Sequence, residues 1–86
     1  MKKIIKFYAK WCSPCKAYTP IFENATSEYS DQIEVLNINI DTDTDGIASI
    51  YKIRSIPSTV LVREDGSFVK KDGILTEQQV KELILS

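Results

Sequence analysis

With 86 residues, 43% of them apolar, and only 3 glycines and 3 prolines, the chain has room for one domain with a modest core. It lacks the composition of a disordered segment. Its 11 lysines and arginines stand against 12 aspartates and glutamates, a formal net charge of −1, and with no basic stripe this excludes nucleic acid as a natural partner. No apolar run approaches the length of a membrane span, and Lys6 breaks the apolar stretch after Met1-Lys2-Lys3 too early for a secretory leader, so a cytoplasmic protein is expected.

Lys3 to Ala9 is rich in strand formers, and alternation sends Ile4, Lys6 and Tyr8 to one face and Ile5 and Phe7 to the other. Lys6 is out of pattern in a strand that should be central. From Pro14 to about Tyr29 the recurrence of Cys15, Tyr18, Phe22, Ala25 and Tyr29 at steps of three and four predicts a helix. Pro14 suits its first turn, where a missing N–H costs nothing, while Pro20 in its interior should kink it. Glu34 to Ile40 is the second strand, with Val35, Asn37 and Asn39 on one face and Leu36, Ile38 and Ile40 on the other. Two strands joined through a helix imply a parallel, right-handed βαβ unit.

Asp41-Thr42-Asp43-Thr44-Asp45-Gly46 matches the opening of a calcium loop. The twelfth position of such a loop needs a bidentate acid, however, and here it is Lys52. The acidic run is therefore read as capping a short helix that reaches about Tyr51, with Ile47, Ile50 and Tyr51 turned inward. Thr59 to Arg63 and Ser67 to Lys71 are short strands joined by the hairpin signal Glu64-Asp65-Gly66. The last helix opens at Thr76, Gln79 completes a capping box, and Val80, Leu83 and Ile84 form its buried stripe. No internal repeat or linker divides the chain, so residues 1–86 form a single α/β domain of order β-α-β-α-β-β-α, with three helices covering both faces of a four-stranded sheet.

Both cysteines lie in Trp11-Cys12-Ser13-Pro14-Cys15-Lys16, where the first strand ends and the first helix begins. Cys12 faces the unpaired N–H groups and the positive end of the helix dipole, which favour a thiolate, the form that attacks disulfides. Cys15 is near enough to close a short disulfide with it. Lys10 and Lys16 add positive charge nearby, and Trp11 should partly shield the thiol. A purely structural disulfide across so short a loop stabilises little. Zinc would need ligands that a chain with 2 cysteines and no histidine does not supply alone.

The Trp-Cys-x-Pro-Cys-Lys motif after an apolar strand resembles the thioredoxin family, and so do Pro20 in the following helix, Ile56-Pro57-Ser58 and Gly73. The likeness runs from about Lys3 to the C-terminus, without the strand and helix that full-length thioredoxins place before the first strand seen here. It implies a thioredoxin-like fold with strands in the order 34–40, 3–9, 59–63, 67–71, the last two antiparallel to the first two. Residues 34–40 then form an exposed edge, compatible with Asn37 and Asn39.

The resemblance implies a thiol–disulfide oxidoreductase that reduces protein disulfides, Cys12 as nucleophile and Cys15 as resolving thiol. The partners implied are disulfide-containing proteins and a thioredoxin reductase or similar donor. A monomer is expected, with no bound metal or cofactor other than the redox-active Cys12–Cys15 disulfide. Substrate binding falls to Trp11, Ser13, Pro14, Ile56, Pro57 and Gly73. In the family the bond before the proline is cis, which leaves the Ile56 backbone to pair with an extended substrate segment, and the glycine leaves room for the partner chain.

Tyr8 stands where a tryptophan is common, and Ser13 where a glycine is usual. The largest departure is Lys6, because thioredoxins carry a buried aspartate there that takes the resolving thiol's proton, and a lysine at the position matched by Asn37. Lys6 and Lys16 are expected to modulate the thiol pKa. Lys6 could do so as a buried ammonium or as a neutral base, or it could snorkel to the open sheet edge. Two other functions remain open. A glutathione-dependent, glutaredoxin-like enzyme is disfavoured by Trp11 and by the lack of Gly-Gly-x-Asp after Gly73. A non-redox binding module is disfavoured by the intact cysteine pair.

Overall fold

The computed structural model describes residues 1–86. The elements are β1 (Lys2–Tyr8), α1 (Ser13–Ser27), β2 (Ile33–Asn39), α2 (Ile47–Ile50), β3 (Ser58–Val62), β4 (Phe68–Asp72) and α3 (Glu77–Leu85). The sheet order is β2-β1-β3-β4. β1 is central, parallel to β2 and antiparallel to β3, with Lys6 opposite Asn37 on one side and Thr59 on the other. β2 pairs with β1 alone and is an edge, as expected.

One expectation about direction is corrected. β4 is antiparallel to β3, and β3 is antiparallel to β1, so β4 runs in the same sense as β1 and β2, and β3 alone opposes them. The physical reason is the hairpin itself, which reverses the chain between β3 and β4. Gly66 accepts the left-handed φ of 90° that this turn requires. Asp65 fastens the turn by accepting from the Ser67 N–H at 2.9 Å and the Ser67 hydroxyl at 2.7 Å.

Strand alternation sorts the core into two layers. Ile4 and Leu61 meet Tyr18, Phe22 and Ala25 of α1 and Val80, Leu83 and Ile84 of α3 on one face. Ile5, Phe7 and Val60 meet Ile47, Ala48, Tyr51 and Ile53 on the other. Because both faces are covered, β1 is buried from Ile4 to Phe7. The α3 cap forms as the spacing predicts, with Thr76 and Gln79 exchanging side-chain-to-backbone bonds at 2.8 and 3.1 Å.

One helix end and the facing of one residue differ from the sequence reading. α1 stops at Ser27 rather than near Tyr29, where the Thr26 hydroxyl donates to the Phe22 carbonyl at 2.9 Å and the Ser27 hydroxyl to the Asn24 carbonyl at 2.9 Å, local bonds that compete with the helical ladder. α2 is a single turn, and Ile50 is 64% exposed instead of inward. At about 100° per residue, Ile47, Ala48 and Tyr51 share the face against the sheet and Ile50 is turned away from it. Asp43 supplies the expected cap, its two oxygens accepting from the N–H groups of Ile47 and Ala48 at 3.0 and 2.7 Å.

Candidate active site at the strand-to-helix junction

The route from β1 into α1 fixes the two cysteines. The Cys12 N–H returns to the Ala9 carbonyl at 3.2 Å, closing a turn beyond the strand. Cys12 then serves as N-cap of α1 in extended conformation, and Pro14 occupies the first turn. The Cys12 Sγ accepts the Cys15 N–H at 3.2 Å, so the sulfur does the work usually given to a serine or aspartate oxygen at a helix start. Cys12 and Cys15 form a disulfide, their Cα atoms 5.3 Å apart. Both are enclosed in this oxidised form, at 4% and 2% exposure. What separates them is the backbone: Cys12 sits at the helix mouth, where fixed donors stabilise negative charge, and Cys15 lies one turn in.

Ala9, Cys12 and Cys15 pack with Tyr8, Ile40 and Ile56. The Ile56–Pro57 bond is cis, and Pro57 is buried. Neither the N–H nor the carbonyl of Ile56 is engaged in a backbone hydrogen bond. The Ser58 hydroxyl braces this loop, its single hydrogen donated to the Ser55 carbonyl at 2.7 Å or to Asp72 Oδ1 at 3.1 Å. Gly73 joins the same loop through its N–H, which donates to the Pro57 carbonyl at 2.8 Å. Its φ of +83° suits glycine, and the space above its Cα is open.

Trp11 is 66% exposed. Its Nε1–H donates to Asp41 Oδ2 at 2.9 Å, which holds the indole as one wall of a cleft of about 410 Å³. Ile40, Ala48, Ile53, Arg54, Ser55 and Ile56 form the remainder. The structure thus packs Ile56 against the dithiol, sets Trp11 on the cleft that Ile56 also lines, and ties Gly73 to Pro57. Ser13, Pro14 and Lys16 lie exposed along the first turn of α1.

Lys6 does not snorkel. The residue is 4% exposed, and its Nζ donates to the Thr19 hydroxyl at 2.8 Å beneath α1. The same face carries the Tyr8 and Phe22 rings, with centroids 5.5 and 5.4 Å from the nitrogen. Desolvation by burial lowers its pKa, and the field of Glu23 partly opposes this. Reaching the edge would have meant crossing the β1–β2 pairing, which Asn37 occupies opposite Lys6. Burial likewise raises the pKa of Tyr18, against a 2.8 Å bond with the Thr59 hydroxyl.

Sequence reasoning did not find the pairing of Trp11 with Asp41, the groove contribution of Ile40, Ile53 and Arg54, or the role of Thr19. Asp41 carried a local signal only as part of an acidic run. No group of three or more His, Cys, Asp or Glu side chains converges as metal ligands, and no helix is long and apolar enough to cross a membrane.

An α/β sheet that delivers a vicinal cysteine pair to a helix N-terminus, as an intact disulfide, beside a cis-proline loop defines a thiol–disulfide oxidoreductase. The thioredoxin family model matches residues 1–86. The thioredoxin of Buchnera aphidicola subsp. Acyrthosiphon pisum is 35% identical over 81 residues, covering 94% of this chain and 74% of that protein. The thioredoxin of Mycoplasmoides gallisepticum is 39% identical over 84 residues, covering 96% and 81%. Among solved structures, the germline-specific thioredoxin Deadhead of Drosophila melanogaster superposes with a TM-score of 0.84 at 27% identity, over 98% of this chain and 78% of that one. The chain belongs to the thioredoxin family.

Proposed function

We propose that this oxidoreductase reduces disulfides in protein substrates, with Cys12 as attacking thiolate and Cys15 as resolving thiol. The observation that carries the assignment is the Cys15 N–H pointing at Cys12 Sγ from the helix mouth, because a donor and a dipole end aimed at one sulfur favour its thiolate. The Cys12 thiolate attacks one sulfur of the substrate disulfide. The substrate S–S bond breaks, a mixed disulfide forms, and the departing substrate thiolate takes up a proton. Cys15 then loses its proton and attacks Cys12 Sγ. The Cys12–Cys15 bond forms and the second substrate thiol leaves, so two electrons have passed from the protein to the substrate.

Trp11, Ser13, Pro14, Ile56, Pro57 and Gly73 form the binding surface. The unengaged main chain of Ile56 supports pairing with an extended substrate segment by strand addition, and the cleft beside Trp11 supports placement of an apolar side chain. A thioredoxin reductase or similar donor restores the dithiol, no further cofactor takes part, and the protein acts as a monomer in the cytoplasm, whose reducing poise suits such a carrier.

Cys15→Ser should trap substrate proteins on Cys12 as mixed disulfides that dithiothreitol releases, since the resolving attack is gone. In the reduced wild type Cys12 should alkylate much faster than Cys15. Equal rates would reverse the case for these roles. Reduction by NADPH and thioredoxin reductase is expected, and turnover with glutathione alone would instead support the glutaredoxin-like alternative. If a Cys12→Ser/Cys15→Ser double variant kept the cellular role, the chain would be a binding module.

A further inference from the structure

Among the buried side chains Lys6 alone carries a formal charge, and it takes part in none of the ion pairs. Burying an ammonium with no counter-ion is costly, so its surroundings have to compensate. They do so through the Thr19 hydroxyl at 2.8 Å, two aromatic rings within 5.5 Å and the field of Glu23. The neighbours across the sheet are neutral. Asn37 lies opposite on β2 and Thr59 opposite on β3, with Thr59 engaged by Tyr18.

The bonds from Lys6 lead to the dithiol. The Thr19 hydroxyl has one hydrogen and donates it to the Cys15 carbonyl at 3.1 Å, so its lone pairs face Lys6. That carbonyl shares a peptide group with the N–H of Lys16, which donates to the Cys12 carbonyl at 3.3 Å. Every donor in the series points from Lys6 toward the cysteines, and hydrogen bonds aligned in this way polarise one another. The chain ends on the residue whose sulfur accepts the Cys15 N–H.

We propose that Lys6, acting through Thr19, is a positioning residue that biases the Cys12/Cys15 pair toward its reduced form. The inference rests on the redox reading given under Proposed function. Reduction of the disulfide consumes two electrons and one proton, breaks the S–S bond and yields one thiol and one thiolate, the electrons coming from the reductase or, in vitro, from a thiol buffer. A buried ammonium two hydrogen bonds from the Cys15 main chain stabilises the thiolate and has nothing to stabilise in the disulfide. The protein is accordingly a milder reductant than the same fold without this charge.

The test equilibrates the full chain with glutathione redox buffers and titrates Cys12 by its rate of alkylation against pH. Lys6→Met replaces the ammonium by an uncharged chain that fits between the two rings. It should raise the Cys12 pKa and shift the equilibrium toward the oxidised protein by up to about tenfold, or about 30 mV more negative for a two-electron couple. Thr19→Val should shift the same quantities in the same direction, Thr19→Ser should restore them, and the Lys6→Met/Thr19→Val pair should shift no further than Lys6→Met alone. These Thr19 variants also serve as the test if Lys6→Met does not fold. An unchanged or less negative potential in Lys6→Met overturns the proposal, and a shift in Lys6→Met with none in Thr19→Val overturns the route through Thr19. A wild-type protein that forms no reversible Cys12–Cys15 disulfide would remove the underlying redox reading instead, a separate and prior result.

Discussion

Replacing Asp41 by alanine removes the one acceptor of the Trp11 indole N–H, itself that ring's single donor. The bond is charge-assisted and 2.9 Å long, but the ring is 66% exposed and water competes for both partners. Its net worth is therefore about 0.5–1.5 kcal/mol, toward the lower end. Its loss frees one wall of the cleft formed with Ile40, Ala48, Ile53 and Ile56. A substrate that must order this wall on binding should then show a KM about twofold to tenfold higher. A small disulfide reagent that reaches Cys12 without filling the cleft should react at an unchanged rate. Trp11 is the only tryptophan, since the chain has 1, so its fluorescence anisotropy reports the loss of restraint directly. Asp41→Asn, which still offers an amide oxygen, should fall between the two. A parallel loss of rate on protein and small-molecule disulfides, or unchanged anisotropy, would refute the role given to this bond.

Two further predictions concern stability. Thr76→Ala opens the capping box of α3 and should cost about 1 kcal/mol in urea denaturation, with an unchanged m-value. Lys6 has a native pKa lowered by burial below its ordinary 10.5, so the unfolded chain binds more protons in the alkaline window between the two values. Its burial penalty is present in full below the native pKa and is relieved as pH rises toward 10.5. The stability of wild type relative to Lys6→Met should therefore increase as the pH rises through the lowered native pKa toward 10.5, and a flat or falling difference over the alkaline range would contradict the burial of a charged amine.

Much of this protein was legible in the residue order because the signals concerned act within a few residues. Alternation in β1, the three-and-four spacing of Cys15, Tyr18, Phe22 and Ala25, the Thr76/Gln79 capping box and the turn at Asp65-Gly66 each depend on neighbours along the chain. The chemistry was legible for the same reason. Two thiols at a strand-to-helix boundary meet the helix mouth wherever the helix is packed.

What the local signals left open depended on elements distant in sequence. α2 proved too short for its periodicity to orient Ile50, so contact with the sheet chose its buried face. Trp11 and Asp41 lie 30 positions apart, and they meet because β1 and β2 are parallel neighbours whose ends emerge together. Gly73 meets Pro57 because the β3–β4 hairpin pairs Ser58 with Asp72 and brings the next residue beside the loop. The direction of Lys6 was settled in the same way. Alternation assigned it a face, but only the placement of α1 across that face put Thr19 above the amine and closed the way to the sheet edge. A side chain's partners are set by strand order and helix placement, and these follow from burying two apolar layers at once, a constraint that no single stretch of the sequence carries.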